Sequence, residues 1–125
     1  MISTSEALSI HNLLIKQFGG SAGLRDQQAL TSALSRPFQT FQSDELYPSI
    51  LHKASALIES IISNHPFIDG NKRTGYVLMR LFLIQNGYDI YSSQEEKFTF
   101  VINIASGVSG FDEILQWLQN NTKQY

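Results

Sequence analysis

The segment His65-Pro66-Phe67-Ile68-Asp69-Gly70-Asn71-Lys72-Arg73-Thr74-Gly75 gathers the residue types that handle phosphate into one short stretch between two apolar segments. It leads into the second of these, so a helix starts at about Gly70–Arg73. A helix N-terminus leaves backbone N–H groups unpaired and carries partial positive charge, so an anion placed there meets donors and a favourable dipole. Gly70 permits close backbone approach, and Lys72 and Arg73 add side-chain charge. Asp69 offers one hard oxygen, the sparse coordination typical of a magnesium ion otherwise held by substrate phosphates and water. Histidine titrates near neutrality in its unperturbed state, so His65 fits a general base that takes a proton from an attacking hydroxyl. One effect opposes this: the C-terminus of the preceding helix favours an imidazolium by up to about 2 kcal/mol. Each residue also has a plain structural use. Asp-Gly-Asn is common turn chemistry, and Phe67 and Ile68 can plug a core.

The elements that must position this segment read as helices, with Gly and Pro as punctuation. Ser3 and Glu6 form a capping box for a first helix over Thr4–Phe18, ended by Gly19-Gly20. Asp26 is the N-cap of a second helix, Gln27–Ser35, stopped by Arg36-Pro37. Pro37–Tyr47 has no sustained period and reads as an ordered surface loop with short extended pieces. Pro48 suits the first turn of a third helix, whose wide apolar face runs from Ile50 to Ile62 before Ser63-Asn64. The fourth helix carries Val77, Leu78, Leu81, Phe82 and Ile84, with Asn86-Gly87 as a left-handed cap. Ser92 with Glu95, or Ser93 with Glu96, opens a fifth helix to Ala105 or Ser106. A sixth helix with Phe111, Ile114, Leu115, Leu118 and an edge-packed Trp117 follows Gly110, and the tail frays from Asn120. These readings give one all-α domain over residues 1–125, a compact bundle of about six helices with a surface loop.

Composition narrows the chemistry. The 125 residues contain no cysteine, which excludes disulfides, zinc-thiolate sites, iron–sulfur clusters and thiol nucleophiles. Nine basic and eleven acidic residues give a net charge of −2, without the basic excess that non-specific nucleic-acid binding draws on. Apolar runs such as Leu13–Ile15 and Leu81–Ile84 fall far short of the roughly 18 residues of a membrane span. The N-terminus does not read as a signal peptide, so the expectation is a cytoplasmic domain with neither nucleic acid nor membrane as partner. His11 and His52 have no second ligand at metal spacing and are assigned no role; Arg36 and Arg80 are candidates for the cleft.

His-Pro-Phe-x-Asp-Gly-Asn-Lys-Arg resembles the active-site motif of the Fic superfamily, specifically its death-on-curing (Doc) toxin branch. The usual Fic motif has glycine where this chain has Lys72, whereas Doc-like sequences have lysine. The similarity extends through Gly19-Gly20, Gly23-x-Arg25-Asp26, Ala33-Leu34-x-Arg36-Pro37, Tyr47-Pro48 and Leu81-Phe82-Leu83 to Asn86-Gly87-Tyr88. The resemblance implies a Fic/Doc-like helical core with His65 as base, Asp69 as magnesium ligand, and Gly70, Asn71, Lys72 and Arg73 around the phosphates of ATP. Phe67 anchors the loop, and Pro37–Tyr47 is the flap that aligns a target segment.

For function, the resemblance implies the toxin of a toxin–antitoxin pair, a kinase that moves the γ-phosphate of ATP to a threonine of a translation factor such as elongation factor Tu. Lys72 fills space left open by glycine and attracts a phosphate, which would bring the terminal phosphate to the base. AMP transfer to a protein hydroxyl on the same residues is the alternative, and a catalytically silent binding module a further one. The inhibitory Ser/Thr-x-x-x-Glu-Gly/Asn string of some Fic proteins is absent. Restraint then falls to an antitoxin whose disordered tail folds into a groove on the toxin.

Overall fold

Six helices, a short 3-10 turn and two small two-stranded antiparallel sheets make up the computed structural model, which describes all residues, Met1–Tyr125. The helices are α1 (Thr4–Phe18), α2 (Gln27–Ser35), α3 (Ile50–Asn64), α4 (Asn71–Gln85), α5 (Gln94–Ala105) and α6 (Phe111–Asn121). The all-α bundle expected from the sequence is therefore present. Its starts are set locally: Ser3 and Glu6 cap α1 reciprocally, Asp26 accepts from Ala29 N–H, and Ser93 with Glu96 opens α5.

Helix α3 is the central element because its apolar face is widest. Apart from Glu59, every residue from Lys53 to Ile62 is buried. It packs on α2, α4, α5 and α6. Helix α4 meets it through Gly75, where an added Cβ would lie 3.1 Å from Ile62 Cγ1 and 3.2 Å from Ile61 Cγ2. A mid-helix glycine costs about 1 kcal/mol in propensity, and here it lets two backbones approach. The buried stripe of α4 is Thr74, Gly75, Leu78, Met79, Phe82 and Leu83, and Ile84 is on the exposed side.

Four local expectations are corrected. Pro48 precedes the α3 N-cap, and Ser49 takes that role by accepting from His52 N–H. At the end of α4 the left-handed residue is Gly87 alone, at φ 85°, while Asn86 has φ −110°. The chain does not fray from Asn120: α6 continues to Asn121, and strand β4 (Thr122–Gln124) pairs with β3 (Tyr88–Ile90). Arg36, in a short 3-10 helix over Arg36–Phe38, bonds Tyr47, Ser60 and Glu59 and so holds the loop instead of facing the cleft.

That loop is a two-residue hairpin. Strand β1 (Thr40–Phe41) pairs with β2 (Asp44–Glu45) across Gln42 and Ser43, both at positive φ as a type I′ turn requires. Buried Lys53 of α3 pins it through Glu45 Oε1 at 2.9 Å and the Tyr47 carbonyl. Phe38 packs edge-on against Phe82, whereas Phe41 stays exposed.

Arg80 pairs with Asp89 through two N–H groups at 2.9 and 3.1 Å, tying α4 to β3. These bonds hold the Asp89 carboxyl below the usual carboxylate range. A carboxylate with a depressed folded pKa adds stability above its unfolded pKa and loses it as pH falls through the folded one. Asp89→Asn is expected to cost about 1 kcal/mol at pH 7, and that deficit to shrink below about pH 4, in urea denaturation across pH.

Candidate active site

The His65–Gly70 segment joins α3 to α4 as a turn whose backbone is held from several sides. His65 ends α3 in the left-handed conformation (φ 49°, ψ 58°). Arg25, from the loop after α1, donates from Nε to the His65 carbonyl at 2.6 Å and from Nη2 to the Asn64 carbonyl at 2.6 Å. The negative end of α3 is thereby met by a guanidinium. The N–H groups of Arg25 and Asp26 both donate to the Pro66 carbonyl, and Ile68 N–H donates to the Gly23 carbonyl.

Phe67 is fully buried, its ring stacked on that of His11 at 3.9 Å. Asn71, expected among the phosphate-binding groups, directs its side chain inward. Its Oδ1 accepts from Phe67 N–H and its Nδ2 donates to the Phe67 carbonyl, both at 2.9 Å. What Asn71 presents outward is its backbone. The first hydrogen bond of α4 runs from Thr74 N–H to the Gly70 carbonyl, so the N–H groups of Asn71, Lys72 and Arg73 have no backbone acceptor.

Asp69 is exposed, with Oδ2 accepting from Ser21 N–H at 3.1 Å and Oδ1 from Gly70 N–H at 2.8 Å. These two N–H bonds hold its carboxyl below the ordinary range. Each oxygen keeps a further lone pair, so the carboxylate remains able to bind a cation. Gly20 makes room for it: a Cβ there would lie 2.6 Å from Asp69 Oδ2.

His65, Asp69, Gly70, Asn71, Lys72 and Arg73 all line one cavity of about 780 Å³. Its far wall was not foreseen: Tyr76 of α4, and Gln94, Lys97, Phe98, Val101 and Ile102 of α5. A signal existed in the α5 spacing, since these five residues fall on one helical face, and Tyr76 lies one turn beyond Lys72. Read without the fold, such a stripe is indistinguishable from core. Arg73 also lies over the Phe18 ring, 4.3 Å from its centroid.

The charge around the cavity is unbalanced. The ion pairs of the protein occupy Arg36, Lys53 and Arg80, and none involves Lys72, Arg73 or Lys97. Asp69 is the single acidic side chain in the lining, and its carboxylate is engaged by N–H groups. An acidic protein has thus concentrated unpaired cations and open helix N–H groups at one concave site with an apolar far wall. Such a site can take a polyanion with an apolar end. No group of three or more His, Cys, Asp or Glu side chains could cage a metal by itself.

A profile of the Fic/DOC family matches residues 1–83. The chain belongs to the Fic/DOC family. Over 73 residues it is 40% identical to Toxin Doc of Mycolicibacterium smegmatis (strain ATCC 700084 / mc(2)155), covering 58% of this chain and 56% of that protein. Over 94 residues it is 27% identical to Protein kinase doc of Escherichia phage P1, covering 75% of this chain and 74% of that protein. The match to the first relative thus spans little more than half its length. The turn and the start of α4 lie inside the family match, whereas α5, which builds the apolar wall, lies beyond it.

Asn71 fills two buried backbone valences at once. Asn71→Ala is expected to cost about 2–3 kcal/mol in urea denaturation, because Phe67 N–H and C=O would be left buried and unpaired. Hydrogen exchange at the Phe67 amide should rise more than at the α3 core amides.

Proposed function

We propose that this chain is a Doc-type toxin that transfers the γ-phosphate of ATP to a hydroxyl of a translation factor such as elongation factor Tu. The observation that carries the reading is the cavity itself. It combines Lys72, Arg73 and Lys97, the open N–H groups of α4, and an apolar wall, with His65 at its rim. The triphosphate would lie along the N-terminus of α4, and the base against Phe98, Val101 and Ile102.

In this reading the His65 imidazole takes the proton of the target hydroxyl as its oxygen bonds to the γ-phosphorus. The bond from that phosphorus to the β–γ bridging oxygen breaks, and ADP leaves. Lys72 and Arg73 stabilise charge on the transferred group. Asp69, alone among the lining side chains in being acidic, would hold a magnesium ion, which when bound neutralises phosphate charge. The exposed β1–β2 hairpin offers strand edges on which a target segment could align. Restraint would come from an antitoxin with a disordered tail folding into a groove on the toxin, and the site of action would be the cytoplasm. No helix is long and apolar enough to cross a membrane.

ATP labelled on either the α- or the γ-phosphate, incubated with this protein and elongation factor Tu, tests the reading. Label from the γ position alone is expected on the target; α-label there would make the protein a nucleotidyl transferase. His65→Ala is expected to lower transfer by about 100-fold or more with an unchanged melting temperature. Persistence of full transfer in that variant would remove His65 as the base.

Lys97 is half-buried and forms no salt bridge in the fold. Lys97→Ala is expected to raise KM for ATP about tenfold with little change in kcat, measured by steady-state kinetics.

A further inference from the structure

His11 is a buried titratable side chain that the proposed chemistry leaves unused. It lies on α1, 1% exposed, with its ring flat on that of Phe67 at an interplanar angle of 6°. Its Nε2 is 2.8 Å from the Asp69 carbonyl oxygen. A carbonyl only accepts, so Nε2 carries the proton.

A trans peptide unit points its C=O and its N–H in opposite directions. Holding the Asp69 carbonyl toward α1 therefore turns the Gly70 N–H away from α1, where it meets Asp69 Oδ1 at 2.8 Å. Helix α1 also shapes the seat of Gly70. At φ 78°, a Cβ on that residue would lie 3.2 Å from Ile15 Cδ1 and 3.6 Å from His11 Nε2. His11 and Ile15 are one helical turn apart, so one face of α1 supports both ends of the Asp69–Gly70 peptide.

We propose that His11 is a positioning residue: by fixing the plane of the Asp69–Gly70 peptide it holds the Asp69 carboxylate in the orientation that would receive a divalent cation. The cation part rests on the reading of Asp69 given under Proposed function. A merely space-filling role would need the flat ring and no donor, and phenylalanine would serve it equally well. His11→Phe keeps a stackable ring without the donor, and His11→Gln keeps a donor without the ring.

The full chain supplies the tests. In the wild type, a long-range ¹H–¹⁵N spectrum of the imidazole should show Nε2 protonated. In folded His11→Phe, Gly70 amide exchange is expected to quicken about tenfold or more, while amides of the α3 core change little. Mn²⁺ binding in the presence of a non-hydrolysable ATP analogue, read by the electron paramagnetic resonance of free Mn²⁺, should weaken about tenfold or more. His11→Gln should recover both to within about threefold of wild type.

Wild-type values of Gly70 exchange in His11→Phe overturn the proposal, as does an unprotonated Nε2 in the wild type. Unchanged Mn²⁺ affinity in His11→Phe with faster Gly70 exchange overturns the cation part. Should His11→Phe fail to fold, the imidazole spectrum and His11→Gln decide: Gly70 exchanging in His11→Gln at the rate of an unstructured peptide overturns it. A wild type that takes up no Mn²⁺ with the analogue sinks the metal reading of Asp69, and Gly70 exchange still decides whether His11 sets the peptide plane.

Discussion

The structure depends on how the backbone between α3 and α4 finds hydrogen-bond partners outside any regular element. Asn64 and His65 give their carbonyls to Arg25, Pro66 to the N–H groups of Arg25 and Asp26, and Asp69 to His11. Phe67 is closed by the Asn71 amide, and Ile68 by Gly23. A buried polar group left unpaired costs about 1–3 kcal/mol, so these partners together decide whether the turn has one shape. They also hold His65 in a left-handed conformation ahead of a proline, a backbone state that the chain would rarely adopt unaided.

Rigidity of this kind has a consequence for charge. Because the turn is satisfied from behind, by α1 and the loop Gly19–Asp26, its outer side is free to present the N–H groups of α4 with Lys72 and Arg73. Three other cations are held by the fold: Arg36 and Lys53 hold the hairpin, and Arg80 holds β3. A net charge of −2 thus coexists with a locally positive cavity. Phosphate recognition here is a matter of placement, and total charge gives no sign of it.

Much of the architecture was legible because it is local. Capping by Ser3, Asp26 and Ser93 acts within one turn, so the starts of α1, α2 and α5 could be read from spacing alone. The candidate site was legible as a motif for the same reason, since His65 to Arg73 lie in one short stretch. The α4 stripe was harder. Val77 and Ile84 are as apolar as Met79 and Leu83, and only packing against α3 through Gly75 decides which of them turn inward. The C-terminal strand was missed because its stabilisation comes from β3, more than thirty residues away, and leaves no local pattern.

By itself the amino-acid order determined the helices, the absence of thiol chemistry and the segment that could meet a phosphate, because periodicity, capping and residue type act over a few positions. Tertiary structure alone decided that His11 stands beneath Asp69, that Arg25 closes α3, that Asn71 faces inward and that α5 supplies the opposite wall. Those contacts join residues distant in sequence, and their geometry exists only once the helices have packed.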